Sequence, residues 1–108
     1  MIEPNEKTQE MYNKVIVGIQ TFEHRGYRIP NHMAGGLARY FVYGLITGDF
    51  LQAVMRNDFM AAYDLADEHN TANMAAYPAY LYNAAPSGSY GSQENVDAWI
   101  ASGGLAGQ

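Results

Sequence analysis

Apolar residues recur at three- and four-residue spacing in short bursts, and glycine, proline or a capping residue closes each burst. The stretch from Arg28 to Ser92 shows this best. Met33, Leu37, Tyr40 and Phe41 share one helical face; Phe50 pairs with Val54, and Leu51 with Met55. Pro30 suits the first turn of a helix, where its missing N–H is not needed, and Gly44 suits its end. Such a chain can bury its stripes only by folding back on itself many times. The expected fold is all-α: a compact bundle of about five or six short helices in a single domain spanning 1–108.

Elsewhere the same punctuation continues. Residues 8–24 place Tyr12, Val15, Ile19 and Phe22 on one stripe, with Gly26 as the stop. Val15-Ile16-Val17 is β-branched and admits a strand, but the apolar spacing runs beyond a typical strand length. Asp49 or Thr47 can cap a third helix. Asn57 or Asp58 ends it or caps a fourth, whose inner stripe is Phe59, Ala62, Tyr63 and Ala66. The chain is expected to loosen near Asn70–Asn73. Pro78 starts or kinks the helix holding Leu81 and Tyr82. Pro86–Gly91 reads as a loop, and Ser92 as the cap of a last helix with Val96, Trp99 and Ile100 inside. Gly35 and Gly36 are expected to allow close helix–helix approach. Gly103-Gly104 stop the last helix, and residues 1–7 and 103–108 are expected to be flexible. No internal repeat or domain boundary is visible.

Composition narrows the function. Of 108 residues, 48% are hydrophobic and 16% charged, which is not a disordered composition. No apolar run approaches the roughly 20 residues that span a bilayer, and Met-Ile-Glu-Pro-Asn-Glu-Lys is no signal peptide. The absence of cysteine removes disulfides, thiol catalysis and thiolate zinc sites, and fits a cytoplasmic protein. Residues 1–56 hold six Lys and Arg against five acids, whereas residues 57–108 hold six acids and neither Lys nor Arg. Asp64, Asp67 and Glu68 are therefore candidates for docking a basic partner, set against an ordinary solvated acidic face. Direct DNA binding is not expected without clustered cations.

The chemistry-bearing residues are sparse. His24, His32 and His69 show neither the i, i+4 spacing of a helical zinc site nor an HExxH motif, so no metal or other cofactor is expected. Asp49 and Asp58 read more simply as helix caps than as paired catalytic acids. Ser87, Ser89 and Ser92 lack the strand-turn-helix setting of a nucleophile elbow. Gly88-Ser89-Tyr90-Gly91 could cradle a phosphate, but no Walker lysine follows. Arg28, His32 and Arg39 form the one basic-polar group of the central stretch; they either bind an anion or pair with Asp49, Asp58 or Asp67. A ligand site would combine Arg28, His32 and Arg39 with Ser87, Ser89 and Tyr90. Nine tyrosines divide between core rim and interface. An apolar patch of tyrosine and methionine would also favour a homo-oligomer, which stands open beside a monomer.

Ile-Pro-Asn-His-Met-Ala-Gly-Gly-Leu-Ala-Arg-Tyr, Gly-Asp-Phe-Leu-Gln-Ala-Val-Met-Arg-Asn-Asp, Ala-Asp-Glu-His-Asn and Leu-Tyr-Asn-Ala-Ala-Pro-Ser-Gly-Ser-Tyr-Gly-Ser follow one another in the chain. Together they resemble a group of small helical proteins encoded by tailed bacteriophages, over roughly residues 28–100. Tyr90 departs from the tryptophan expected there. The group has no assigned activity, so the resemblance lends no catalytic residue. It implies an accessory phage role in the cytoplasm of an infected bacterium, by binding a host or defence component. The leading expectation is thus a non-enzymatic binding protein. A small-ligand or nucleotide binder is second, and a small hydrolase third.

Overall fold

Asn5 opens the first helix, α1 (Glu6–Thr21), through a reciprocal cap. Its side chain accepts the Thr8 N–H at 3.0 Å, and its own N–H donates to the Thr8 hydroxyl at 2.8 Å. Two orphan amides are satisfied at once. The computed structural model describes residues 5–108. The expected flexibility of residues 1–7 therefore falls partly outside the described residues, and from Glu6 the chain is helical. Val15-Ile16-Val17 lies within α1, so the strand alternative is excluded.

Helix α1 ends at Thr21, earlier than expected, and Gly26 is not its stop. A two-residue hairpin follows, β1 (Glu23–His24) against β2 (Tyr27–Arg28), with Glu23 opposite Arg28 and His24 opposite Tyr27. Arg25 (φ 53°) and Gly26 (φ 85°) both take positive φ, the combination a tight two-residue hairpin turn requires.

Helix α2 (Asn31–Tyr43) starts after Pro30 and ends on Gly44 in the left-handed conformation, φ 68°. Helix α3 (Asp49–Met55) takes Gly48 as its N-cap, with no side-chain bond. Neither Thr47 nor Asp49 is the cap; Asp49 is the first helical residue, where its charge still suits the positive helix end. Asp58 caps α4 (Phe59–Leu65) by accepting the Ala61 N–H at 3.1 Å. In α4 Ala62 is buried, but Tyr63 is 65% exposed rather than part of the inner stripe.

The segment expected to loosen is ordered instead. Asp67 caps a short helix, α5 (Glu68–Ala72), accepting the Asn70 N–H at 2.7 Å. Asn70 is buried and accepts the Tyr77 hydroxyl at 2.5 Å. Helix α6 (Ala76–Ala84) carries Pro78 in its first turn, and Ser92 caps α7 (Gln93–Ser102). The described residues thus form seven α-helices rather than five or six, because Asp67 splits off α5. The class is all-α as expected. A radius of gyration of 13.0 Å fits the value of about 13 Å for a single folded chain of this size.

The core forms where α2 meets its neighbours. Leu37, Tyr40 and Phe41 of α2 pack with Ile19, Val54, Met55, Tyr77 and Trp99. Phe22 meets Tyr80, and Phe50 meets Tyr77, each edge-on with centroids 5.3 Å apart. Polar atoms inside are used as fasteners. The Trp99 indole N–H donates to the Tyr40 carbonyl at 2.9 Å, and the Tyr40 hydroxyl donates to the Ser89 carbonyl at 2.7 Å. The Gly91 N–H reaches the Met55 carbonyl at 2.7 Å. The Pro86–Gly91 loop is thereby sewn to the core.

Close backbone approach occurs where it was not expected. A Cβ on Gly104 would stand 2.6 Å from the Gly44 nitrogen and 2.8 Å from the Phe41 and Val42 carbonyl oxygens. Residues 103–107, expected to fray, instead turn back onto the end of α2, and Leu105–Gly107 form a short 3₁₀ turn packed there. Gly35 and Gly36 serve a different purpose from helix–helix approach. The Arg39 guanidinium lies over Gly35, 3.1 Å from where its Cβ would be, and a Cβ on Gly36 would meet Leu51 Cδ1 of α3 only at 3.9 Å, an ordinary contact.

Candidate functional site

Two surface features could carry function. The first is a polar cleft of about 580 Å³ between the hairpin, the start of α2 and α5. Arg28, His32 and His69 line it with Gln20, Asn31 and Asn73. Local structure explains the convergence. The hairpin turns the chain back so that Arg28 passes α5, where the Asn73 side chain accepts the Arg28 N–H at 3.1 Å. The Arg28 guanidinium donates to the Gln20 carbonyl at 2.9 Å, tying the hairpin to the end of α1. Gln20 donates to Asn31 at 3.1 Å. His32 Nε2 lies 2.9 Å from Asp67 Oδ2, and the His32 and His69 rings meet edge-on at 5.9 Å.

The cleft's polar groups are largely occupied with one another. His32 is engaged by Asp67, which does not itself line the cleft. The Asn70 backbone N–H, and after it His32, hold its carboxyl below the usual carboxylate range. An imidazole–carboxylate pair could orient a general base, but among the described residues no hydroxyl side chain lines this cleft. Among the described residues no three His, Asp or Glu side chains converge to hold a metal ion.

The residues expected to form one ligand site are dispersed. Arg28 and His32 do share the cleft, but Arg39 does not line it; it is exposed and folded over Gly35. Ser87 is exposed in its loop, whereas Ser89 is wholly buried, its hydroxyl donating to the Pro86 carbonyl at 2.6 Å. Ser89 is thus a fastener with no face for a ligand. Tyr90 lines a different depression. Of the acidic docking candidates, Asp64 and Glu68 are exposed and carry no cap. Asp67 is exposed too, but it caps α5 and holds His32, so it is committed to folding.

The second feature was missed from sequence. Two shallow depressions lie side by side along α6 and share Pro78 and Tyr82 as a common wall. One is completed by Tyr27, His24 and Arg25 of the hairpin, the other by Phe59, Leu81 and Tyr90. Tyr82 is 85% exposed and Tyr27 42%. The inner tyrosines behave differently. Tyr40 and Tyr77 spend their hydroxyls inside, and burial pushes both well above the ordinary phenol value, as it raises Tyr80. Sequence signalled only that tyrosine was abundant, not which rings face outward.

Comparison of the chain with protein-family models, with curated proteins and with solved structures found no match. Among the described residues no helix is long and apolar enough to cross a membrane.

Proposed function

We propose that this chain is a non-enzymatic binding protein that docks a protein partner through the tyrosine-lined surface of α6 and the hairpin. One observation carries the reading: Tyr82, 85% exposed, stands between two adjoining depressions walled by aromatic side chains. Exposed aromatic rings that wall shallow pockets suit interface anchors. The resemblance of residues 28–100 to phage-encoded proteins supports a host or defence component as that partner.

The test is capture from bacterial lysate by the immobilised protein. Tyr82→Ala should sharply reduce the amount of captured protein, while Arg28→Ala should leave it unchanged. The opposite pattern would move function to the polar cleft. That cleft supports a second reading, a small anionic ligand held by Arg28, His32 and His69, because these three side chains share one opening. Titration with inorganic phosphate, followed by the imidazole proton resonances, separates the two readings. Saturable shifts abolished by Arg28→Ala would favour the cleft.

A further inference from the structure

The shape and lining of the α6 surface also bear on what docks there. We infer that its occupant is an extended, proline-containing peptide segment with an acidic residue at one end, an inference that rests on the docking reading above. The two depressions are separated by the Tyr82–Pro78 wall and lie in succession rather than as one long trough. A docked helix would lay a continuous stripe into a continuous groove, and an added strand would need a free sheet edge. The only sheet among the described residues is a hairpin with two residues in each strand. A polyproline-type chain meets neither requirement. It has three residues per turn and no internal hydrogen bonds, so it sets successive rings into successive shallow pockets. Its backbone is stiff before binding, so little conformational entropy is lost on an open surface.

The lining agrees. Tyr27, Phe59, Tyr82 and Tyr90 line the two depressions with aromatic rings against which pyrrolidine rings pack, and a tyrosine hydroxyl is a donor suited to the bare carbonyls of such a chain. Charge sets the direction. Among the described residues, the only charged or titratable side chains other than tyrosine that line either depression are Arg25 and His24, both at the hairpin end. On a chain of net charge −5, this is a local cationic end, and it selects a carboxylate on the bound segment.

The experiment titrates the full ¹⁵N-labelled chain with an oligoproline peptide ending in Glu-Glu. Controls are the same peptide ending in Lys-Lys and a Gly-Ser peptide ending in Glu-Glu. Expected are saturable shifts at the amides of Tyr27, Ala79, Tyr82 and Tyr90, severalfold tighter binding of the acidic-ended peptide, and no response to Gly-Ser. Tyr82→Ala should weaken binding by about tenfold or more, as truncation of an aromatic anchor does. Met60→Ala, at an equally exposed site lining neither depression, should leave it unchanged. No shifts, an equal response to Gly-Ser, or shifts that depend on protein concentration without peptide would overturn the inference. If lysate capture depends on Tyr82 while oligoproline gives no shift, the peptide inference fails and the docking face stands. If oligoproline binds at Tyr82 while capture ignores it, the docking reading fails instead.

Discussion

Alanine at Gly104 should be among the most damaging single changes in this chain, although it adds only one methyl group. Two effects combine. Gly104 takes φ 69° and ψ −156°, a region essentially reserved for glycine, where a side chain costs about 1–3 kcal/mol. The added Cβ would also stand 2.6 Å from the Gly44 nitrogen and 2.8 Å from two carbonyl oxygens of α2. All three are backbone atoms, so no side chain can rotate away, and overpacking of this kind costs about 1–3 kcal/mol more. The sum is on the order of 4 kcal/mol, a large share of the 5–15 kcal/mol typical of a domain. Two further glycines separate the terms. Gly88 has φ 88° but nothing within 4 Å of its would-be Cβ, so Gly88→Ala should lose only the backbone term, about 1–2 kcal/mol. Gly18 sits inside α1 with open space around it and an ordinary helical backbone, so Gly18→Ala should gain about 0.5–1 kcal/mol. Urea unfolding followed by far-ultraviolet circular dichroism measures all three. If Gly104→Ala were no worse than Gly88→Ala, the packing of the C-terminal turn on α2 would be refuted.

Trp99→Ala should cost about 3–5 kcal/mol, because the ring is buried and its N–H is the donor to the Tyr40 carbonyl; an unchanged melting temperature would show the ring to be dispensable. Asp67 gives a pH signature. Its carboxyl is held below the usual range in the fold, so its contribution is complete above the unfolded carboxyl value, about 3.9, and is lost as pH falls through the lower folded value. Asp67→Asn keeps a capping acceptor but removes the charge, and should flatten the acid side of the stability–pH curve; superimposable curves would show that the His32 and Asn70 contacts do not stabilise the carboxylate.

The elements that sequence revealed are those whose cause is local. Asp58 and Ser92 cap helices because a short acceptor three residues before a free amide needs nothing distant. Gly44 and Gly103 end helices because glycine takes left-handed φ at least cost. The hairpin escaped notice because one of its two turn residues is Arg25, whose positive φ no residue type announces, and its strands are too short to alternate. Helix α5 was hidden because five residues carry too little periodicity. The polar cleft was half legible. Arg28 and His32 are close in sequence, but Gln20, His69 and Asn73 reach them only through the tertiary fold. Arg39 shares α2 with His32 yet folds back over Gly35, away from the cleft, because the missing side chain there leaves it room.

The tyrosines divide between those that hold the fold and those free to serve the docking proposed above. Tyr40 and Tyr77 stabilise the fold, since both are buried and both hydroxyls are bonded. Tyr82, 85% exposed, adds almost nothing to folding, so nearly all of its surface remains available to a partner. An aromatic side chain buries roughly 150–250 Å², and at about 25 cal/mol per Å² that is roughly 4–6 kcal/mol gross. Association costs at least about 4 kcal/mol in lost translational and rotational freedom. Tyr82 alone would therefore leave at most about 2 kcal/mol, weaker than millimolar binding, so on the docking reading the neighbouring Tyr27, Pro78, Phe59 and Tyr90 contribute. Any single truncation on this face should weaken binding without abolishing the fold, and the pair Tyr27→Ala with Tyr82→Ala should remove it, because together they open both depressions on either side of the shared wall.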